Sequence, residues 1–177
     1  MNRIFVTIIF ILLFITNTLA EIIKNVDVKG NKRISKETII LFGNIKLNHE
    51  INGGDLNDII KNLYETNFFK DVSIKIINNR LLIEVVENPL IQSVSIEGIK
   101  HKKIIEILRE NMILKQKSSF VPNIAHEDKK KLLNILRSNG YYKASIKQKY
   151  INNDNNTVDL IYDVYLGEKA SIKKIKF

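Results

Sequence analysis

The sequence predicts an α+β chain of tandem modules, each running strand-helix-helix-strand-strand, with a three-stranded mixed sheet covered on one face by two helices. Three observations carry this. A six-residue strand pattern recurs as Ile23-Lys24-Asn25-Val26-Asp27-Val28, Ile91-Gln92-Ser93-Val94-Ser95-Ile96 and Ile172-Lys173-Lys174-Ile175-Lys176-Phe177. The copies stand 68 and 81 residues apart, beyond the roughly 20 to 50 of solenoid repeats, and that spacing suits small domains that bury their own cores. Within each unit the apolar period changes from 2 to 3.6 and back. Expected bounds are a signal peptide at 1–20, modules at 21–89 and 90–168, and the start of a third module at 169–177.

The leader follows from Arg3, the apolar run Ile4 to Ile15 broken only by Thr7, and the small residues Thr18 and Ala20 ahead of Glu21. This stretch of twelve residues, eleven of them apolar, falls short of the roughly 20 a membrane-spanning helix needs, and cleavage after Ala20 is expected. With no cysteine in the chain, disulfides and thiolate metal sites are excluded, and each module must stand on its hydrophobic core. Loss of Arg3 leaves 27 basic against 19 acidic residues, a net +8. That excess would suit an anionic surface, but the lysines are scattered among isoleucines and asparagines as a compositional bias.

In the first module, Ile22 to Lys29 alternates as a half-buried strand and Gly30-Asn31 supplies a turn. Ser35 is an expected N-cap, with Ile34 and Ile39 placed for a hydrophobic staple, and a short helix runs to about Phe42. The polar stretch from Gly43 through Gly53-Gly54 reads as a loop. Asp55 then caps a second helix whose stripe is Leu56, Ile59, Ile60, Leu63 and Tyr64. Asn67 is placed for a left-handed C-cap. Two strands follow, with Val72, Ile74 and Ile76 on one face and Leu81, Ile83 and Val85 on the other strand's matching face, turning at Asn78-Asn79. Phe69 is expected in the core and Phe68 nearer the surface.

The second module repeats the order. Its opening strand ends near Gly98, where Gly98-Ile99 replaces the Gly-Asn turn. Ile104, Ile105, Ile107, Leu108 and Met112 mark one helix; Leu132, Leu133, Ile135 and Leu136 mark another that starts at Pro122 or Asn123 and stops at Gly140. Asp128 and Lys129 to Lys131 make the first half of that helix read as solvated. Strands are expected from Tyr142 to Ile151 and from Thr157 to Tyr165, joined by Asn152 to Asn156, with Tyr141-Tyr142 matching Phe68-Phe69 in structural role.

These residues resemble a known family. Val26-Asp27-Val28-Lys29-Gly30-Asn31, Leu63-Tyr64-Glu65-Thr66-Asn67-Phe68-Phe69-Lys70-Asp71-Val72 and Val85-Val86-Glu87-Asn88-Pro89-Leu90-Ile91 are similar to the signature of a polypeptide-transport-associated (POTRA) domain. Gly140-Tyr141-Tyr142-Lys143-Ala144-Ser145, Val158-Asp159-Leu160, Gly167 and Ala170-Ser171-Ile172 resemble a second such domain of the surface antigen/outer-membrane assembly family. The family usually has glycine at the position of Asn67, a change that asparagine's tolerance of the left-handed conformation permits. The resemblance implies tandem POTRA modules in the periplasm at the cell outer membrane. It implies, as partners, unfolded outer-membrane β-barrel proteins, accessory lipoproteins of the assembly complex and periplasmic chaperones. Attachment to the outer membrane would be through a barrel this chain does not contain, so the chain reads as a fragment.

No chemical site stands out. His49, His101 and His126 have no metal-ligand spacing, and His126-Glu127-Asp128 places adjacent acids in different directions on a helix. No phosphate loop or nucleophile elbow is present, so no enzyme activity, metal or cofactor is expected, and no aromatic-basic interleaving suggests nucleic acid. Strand order does suggest a binding mode. Two helices return the chain so that the first and last strands are parallel and the second lies on an open edge. Such an edge accepts an extended peptide through its backbone. The outward residues of these edges are Ser73, Lys75 and Ile77, then Ser145, Lys147 and Lys149; the lysines also guard an edge against aggregation. Two alternatives stay open: the POTRA portion of another secretion or assembly transporter or of a division protein, and a basic periplasmic surface-binding protein.

Overall fold

The structure is a computed structural model that describes residues 21–171. The expected leader and the third copy of the strand pattern, at 172–177, lie outside the described residues. Two compact units are present, the first reaching to Thr66 and including Asp71–Val86, the second formed by Asn67–Lys70 and the chain from Glu87 onward.

Apart from the first two residues of β4 and the last of β5, the first unit comprises β1 (Glu21–Ile23), β2 (Asn25–Lys29), α1 (Lys36–Phe42), β3 (His49–Ile51), α2 (Gly53–Glu65), β4 (Phe69–Ile77) and β5 (Arg80–Glu87). Its sheet has the order β2-β5-β4, the first-last-second order expected. In the parallel β2/β5 pair, Val26 is opposite Leu81 and Val28 opposite Ile83. Leu81, Ile83 and Val85 are buried, as are Val26, Val72 and Phe69. From the helices Ile39, Ile59 and Leu63 are buried, so period 3.6 on the helices and period 2 on the strands aim apolar side chains inward. Asn78 and Asn79, both at positive φ (51° and 60°), turn β4 into β5 as a two-residue hairpin requires.

Several details differ from expectation. The opening strand breaks at Lys24, and its first part, β1, pairs antiparallel with β3, Ile22 opposite Glu50. The stretch read as a loop therefore contains a strand, whose Ile51 is buried. Gly53-Gly54 is the first turn of α2. Its N-cap is Asn52, whose Oδ1 accepts from Gly54 N–H (2.7 Å) and Asp55 N–H (3.1 Å), while Asn52 N–H donates to Asp55 Oδ2 (2.8 Å). Asp55, the expected cap, is thus the N3 member of a capping box, three residues inside the actual cap at Asn52. Tyr64, placed on the apolar stripe, is exposed; its hydroxyl donates to Asp71 Oδ1 (3.1 Å) and accepts from Val72 N–H (3.1 Å). Ser35 caps α1 as expected, accepting from Thr38 N–H at 3.2 Å.

The second unit contains β6 (Leu90–Glu97), α3 (Lys102–Asn111), α4 (Pro122–Ser138), β7 (Ser145–Asn153) and β8 (Thr157–Tyr165), with sheet order β6-β8-β7. β6 is parallel to β8 and β7 antiparallel to it. Ile91, Leu108, Leu132, Leu136, Ile146, Leu160 and Tyr162 belong to one buried cluster between the helices and one face of the sheet. β7 starts at Ser145, after a turn in which Ala144 N–H donates to Tyr141 O (3.0 Å). Tyr142, expected to be structural, is 68% exposed.

Gly30 and Gly98 do the same work in the two units. Each has positive φ (83° and 81°), and a Cβ there would lie 2.0 Å from Val85 O and 2.1 Å from Val164 O. The Gly98-Ile99 turn is thus as constrained as Gly30-Asn31: the end of each opening strand presses against the carbonyl of the closing strand, where only glycine fits. Asn67 has φ 60° and follows α2 as expected. Replacing it with valine should cost roughly 1–2 kcal/mol, while glycine should be neutral or mildly stabilising. Denaturant unfolding measures both, and equal stabilities would contradict the assignment.

Candidate functional site: the open edges of two sheets

In a three-stranded sheet with the last strand in the middle, both outer strands have one row of N–H and C=O groups facing away. The inter-helix segments pair with the start of each opening strand. In the first unit this segment is β3, and Asn48 N–H also donates to Ile23 O (2.7 Å). In the second, Lys117 N–H donates to Ile91 O (2.8 Å), Ile91 N–H to Ser118 O (2.8 Å), and Phe120 N–H to Pro89 O (2.7 Å), around an antiparallel bridge between Leu90 and Ser119. Beyond it β6 carries a register shift between Ile91 and Ser93, a bulge at Gln92 of the kind that blunts an edge. β2 is only five residues long.

β4 and β7 differ. Each is nine residues long and lies at the end of its sheet. Ser73 is half-buried and Lys75 and Ile77 are exposed on β4; Ser145, Lys147 and Lys149 are all exposed on β7. Alternation with buried Val72 and Ile146 puts all six on the sheet face opposite the helices. They flank the edge, and the backbone itself points off it. Lys149 Nζ is 4.0 Å from Asp163 on β8, an exposed pair of little energetic weight. The six residues form no single cluster: three belong to each unit.

Two polar groupings escaped the sequence reading. At one end of the second sheet's outer face, Asp159 accepts from Ser93 Oγ and from Asn153 Nδ2 (3.0 Å), and Thr157 Oγ1 donates to Gln92 Oε1 (2.8 Å). These bonds tie the bulge to the β7-β8 hairpin. Those to Ser93 and then Asn153 hold the Asp159 carboxyl below its usual range. The second grouping centres on Asp128, expected to be solvated but 0% exposed. Its two carboxylate oxygens accept from Ile113 N–H (2.7 Å) and Leu114 N–H (2.8 Å). Asp128 falls on the buried stripe with Ala125, Leu132 and Leu136, and that 3.6-residue spacing was the available signal. Tyr162, whose hydroxyl is buried without a hydrogen-bond partner among the described residues, has its phenol pKa raised by burial and by the charge of Asp128. Among the described residues no three His, Asp or Glu side chains gather as a metal site.

Residues 89–167 match the family model POTRA, surface antigen variable number repeat. The outer membrane protein assembly factor BamA of Neisseria meningitidis serogroup B is 28% identical over 157 residues, covering 88% of this chain and 20% of its own length. The N-terminal domain of Omp85 from Thermosynechococcus elongatus superposes with a TM-score of 0.55 at 16% identity, covering 81% of this chain and 61% of that one. POTRA1-3 of the periplasmic domain of Omp85 from Anabaena gives 0.52 at 17% identity, covering 82% and 62%. Each unit's strand order and paired helices are those of a POTRA module. Residues 89–167 accordingly match a POTRA domain, and the chain is similar to a BamA assembly factor over most of its length. It spans about a fifth of the length of the BamA it matches.

The Asp159 grouping has a measurable pH signature. A carboxyl with a depressed folded-state pKa stabilises above its unfolded value, and that contribution disappears as pH falls through the folded value, below about 4. Asp159→Asn should therefore be less stable than the wild type at pH 7, with the difference narrowing as pH falls below about 4. A constant difference across that range in denaturant unfolding would contradict the assignment.

Proposed function

We propose that this chain is the periplasmic substrate-binding and scaffold portion of an outer-membrane β-barrel assembly factor, and that the β4 and β7 edges take up extended segments of unfolded barrel precursors by strand addition. What supports this most directly is the pair of nine-residue edge strands at the ends of their sheets. Main-chain hydrogen bonds supply affinity there, and side-chain contacts with Ser73, Lys75, Ile77, Ser145, Lys147 and Lys149 add little sequence preference. Such tolerance suits a receptor for many barrel sequences and calls for no covalent chemistry. The working domains are 21–89 and 90–168, with 169–177 opening a third and 1–20 a cleaved leader. Accessory lipoproteins and periplasmic chaperones are the further partners of this reading.

Amide shift mapping with a peptide from an outer-membrane barrel strand tests the mode. Shifts should concentrate on Phe69–Ile77 and Ser145–Asn153, and Lys75→Ala or Lys147→Ala should change affinity less than about threefold, as near-neutral exposed contacts do. Proline scanned along β7 should show period-two behaviour, abolishing binding where the N–H faces outward and disrupting the sheet where it faces β8. Shifts confined to the helices would reject the mode.

A further inference from the structure

The segment over the start of β6 is built differently from the strands it touches. Its ends are anchored by buried Leu114 and Phe120, the latter with its ring 4.9 Å from that of Tyr150. Between them, Lys115, Gln116 and Lys117 are exposed, and Lys117 is held at φ 70°, a conformation unfavourable for a residue with a Cβ. This middle part contributes little burial, and its cross-strand bonds are the three to Pro89 and Ile91. Upstream, the chain is fastened by the two bonds from Ile113 and Leu114 to Asp128. Those are charge-assisted bonds in a buried site, stronger than neutral ones and costly to leave unmade.

We propose that residues 113–120 form a displaceable strap and that Asp128 is its latch. Latched, the strap occupies Leu90 and Ile91 and leaves β6 a short, bulged edge. Released, it exposes the strand from Leu90 to Glu97 as a second edge able to accept an extended peptide. Beside this edge lies a cavity of about 360 Å³ lined by Val94, Arg109 and Met112 and by the strap itself from Leu114 to Gln116, so release of the strap opens it along Val94 and Met112. The latch belongs to the fold alone; the use of the released edge rests on the strand-addition reading above.

Amide hydrogen exchange on the full chain, wild type against Asp128→Asn, tests the latch. Asparagine keeps the shape but offers one acceptor oxygen in place of two. Exchange at Ile91, Lys117 and Phe120 should quicken roughly tenfold or more, while the core amides of Leu160 and Tyr162 keep their wild-type rates. Lys117→Val, which adds strain without touching Asp128, should quicken the same three amides. Equal acceleration of Leu160 and Tyr162, or unchanged strap exchange in both variants, would overturn the proposal. Shift mapping of a barrel-strand peptide on Asp128→Asn should add Leu90 to Ser95 to the β7 response. A strap that opens without gaining these shifts would overturn the second edge. Absence of any peptide response at β7 in the wild type would instead reject strand addition and leave the latch to stand or fall by exchange.

Discussion

Backbone N–H and C=O groups at the rim of a sheet must find partners, and the order first-last-second leaves two such rims in every module. That constraint explains features which otherwise look unrelated. The inter-helix segment of each unit returns to the start of the opening strand, as β3 in the first and as residues 117–120 in the second. Among the described residues the other outer strand receives no such cover, and its row of groups extends over nine residues in both units. An asymmetry between a partly closed and an open rim thus follows from how the two helices are connected.

Burial keeps that arrangement in register. The glycines at 30 and 98 let the end of each opening strand approach the closing strand more closely than any side chain would permit. In the second unit the grouping of Gln92, Ser93, Asn153, Thr157 and Asp159 joins all three strands on the solvent face, opposite the apolar cluster. Strand addition needs such a rigid template, because a peptide that had to order its own receptor would lose part of its binding free energy to that ordering.

Periodicity made most of the fold legible. Leu81, Ile83 and Val85, or Ile59 and Leu63, declare their burial by spacing alone, and Asn67 declares a helix end by chemistry that is local to it. What spacing could not show was partnership across the chain. His49–Ile51 is too short and too polar to read as a strand, and becomes one only because Glu21–Ile23 lies beside it. Asn52 and Asp55 both suit a helix start, and their reciprocal bonds decide between them. Asp128 sits among lysines in sequence, so charge outweighed its position on the stripe, although a buried carboxylate serving two backbone donors is a recurrent solution to an unpaired loop. The edge strands were foreseeable from strand order, whereas the closing of the opposite rim was not.

The central claim is that β7 receives a partner strand along its open edge, and the absence of cysteine from the natural sequence allows a direct measurement. A single cysteine at Lys147, paired in turn with cysteines at successive positions of a barrel-strand peptide, should form disulfides with a two-residue period, since only alternate side chains of an added strand share its face. Cross-linking that is uniform along the peptide, or that is as efficient from a cysteine placed at Lys130 on α4, would contradict strand addition.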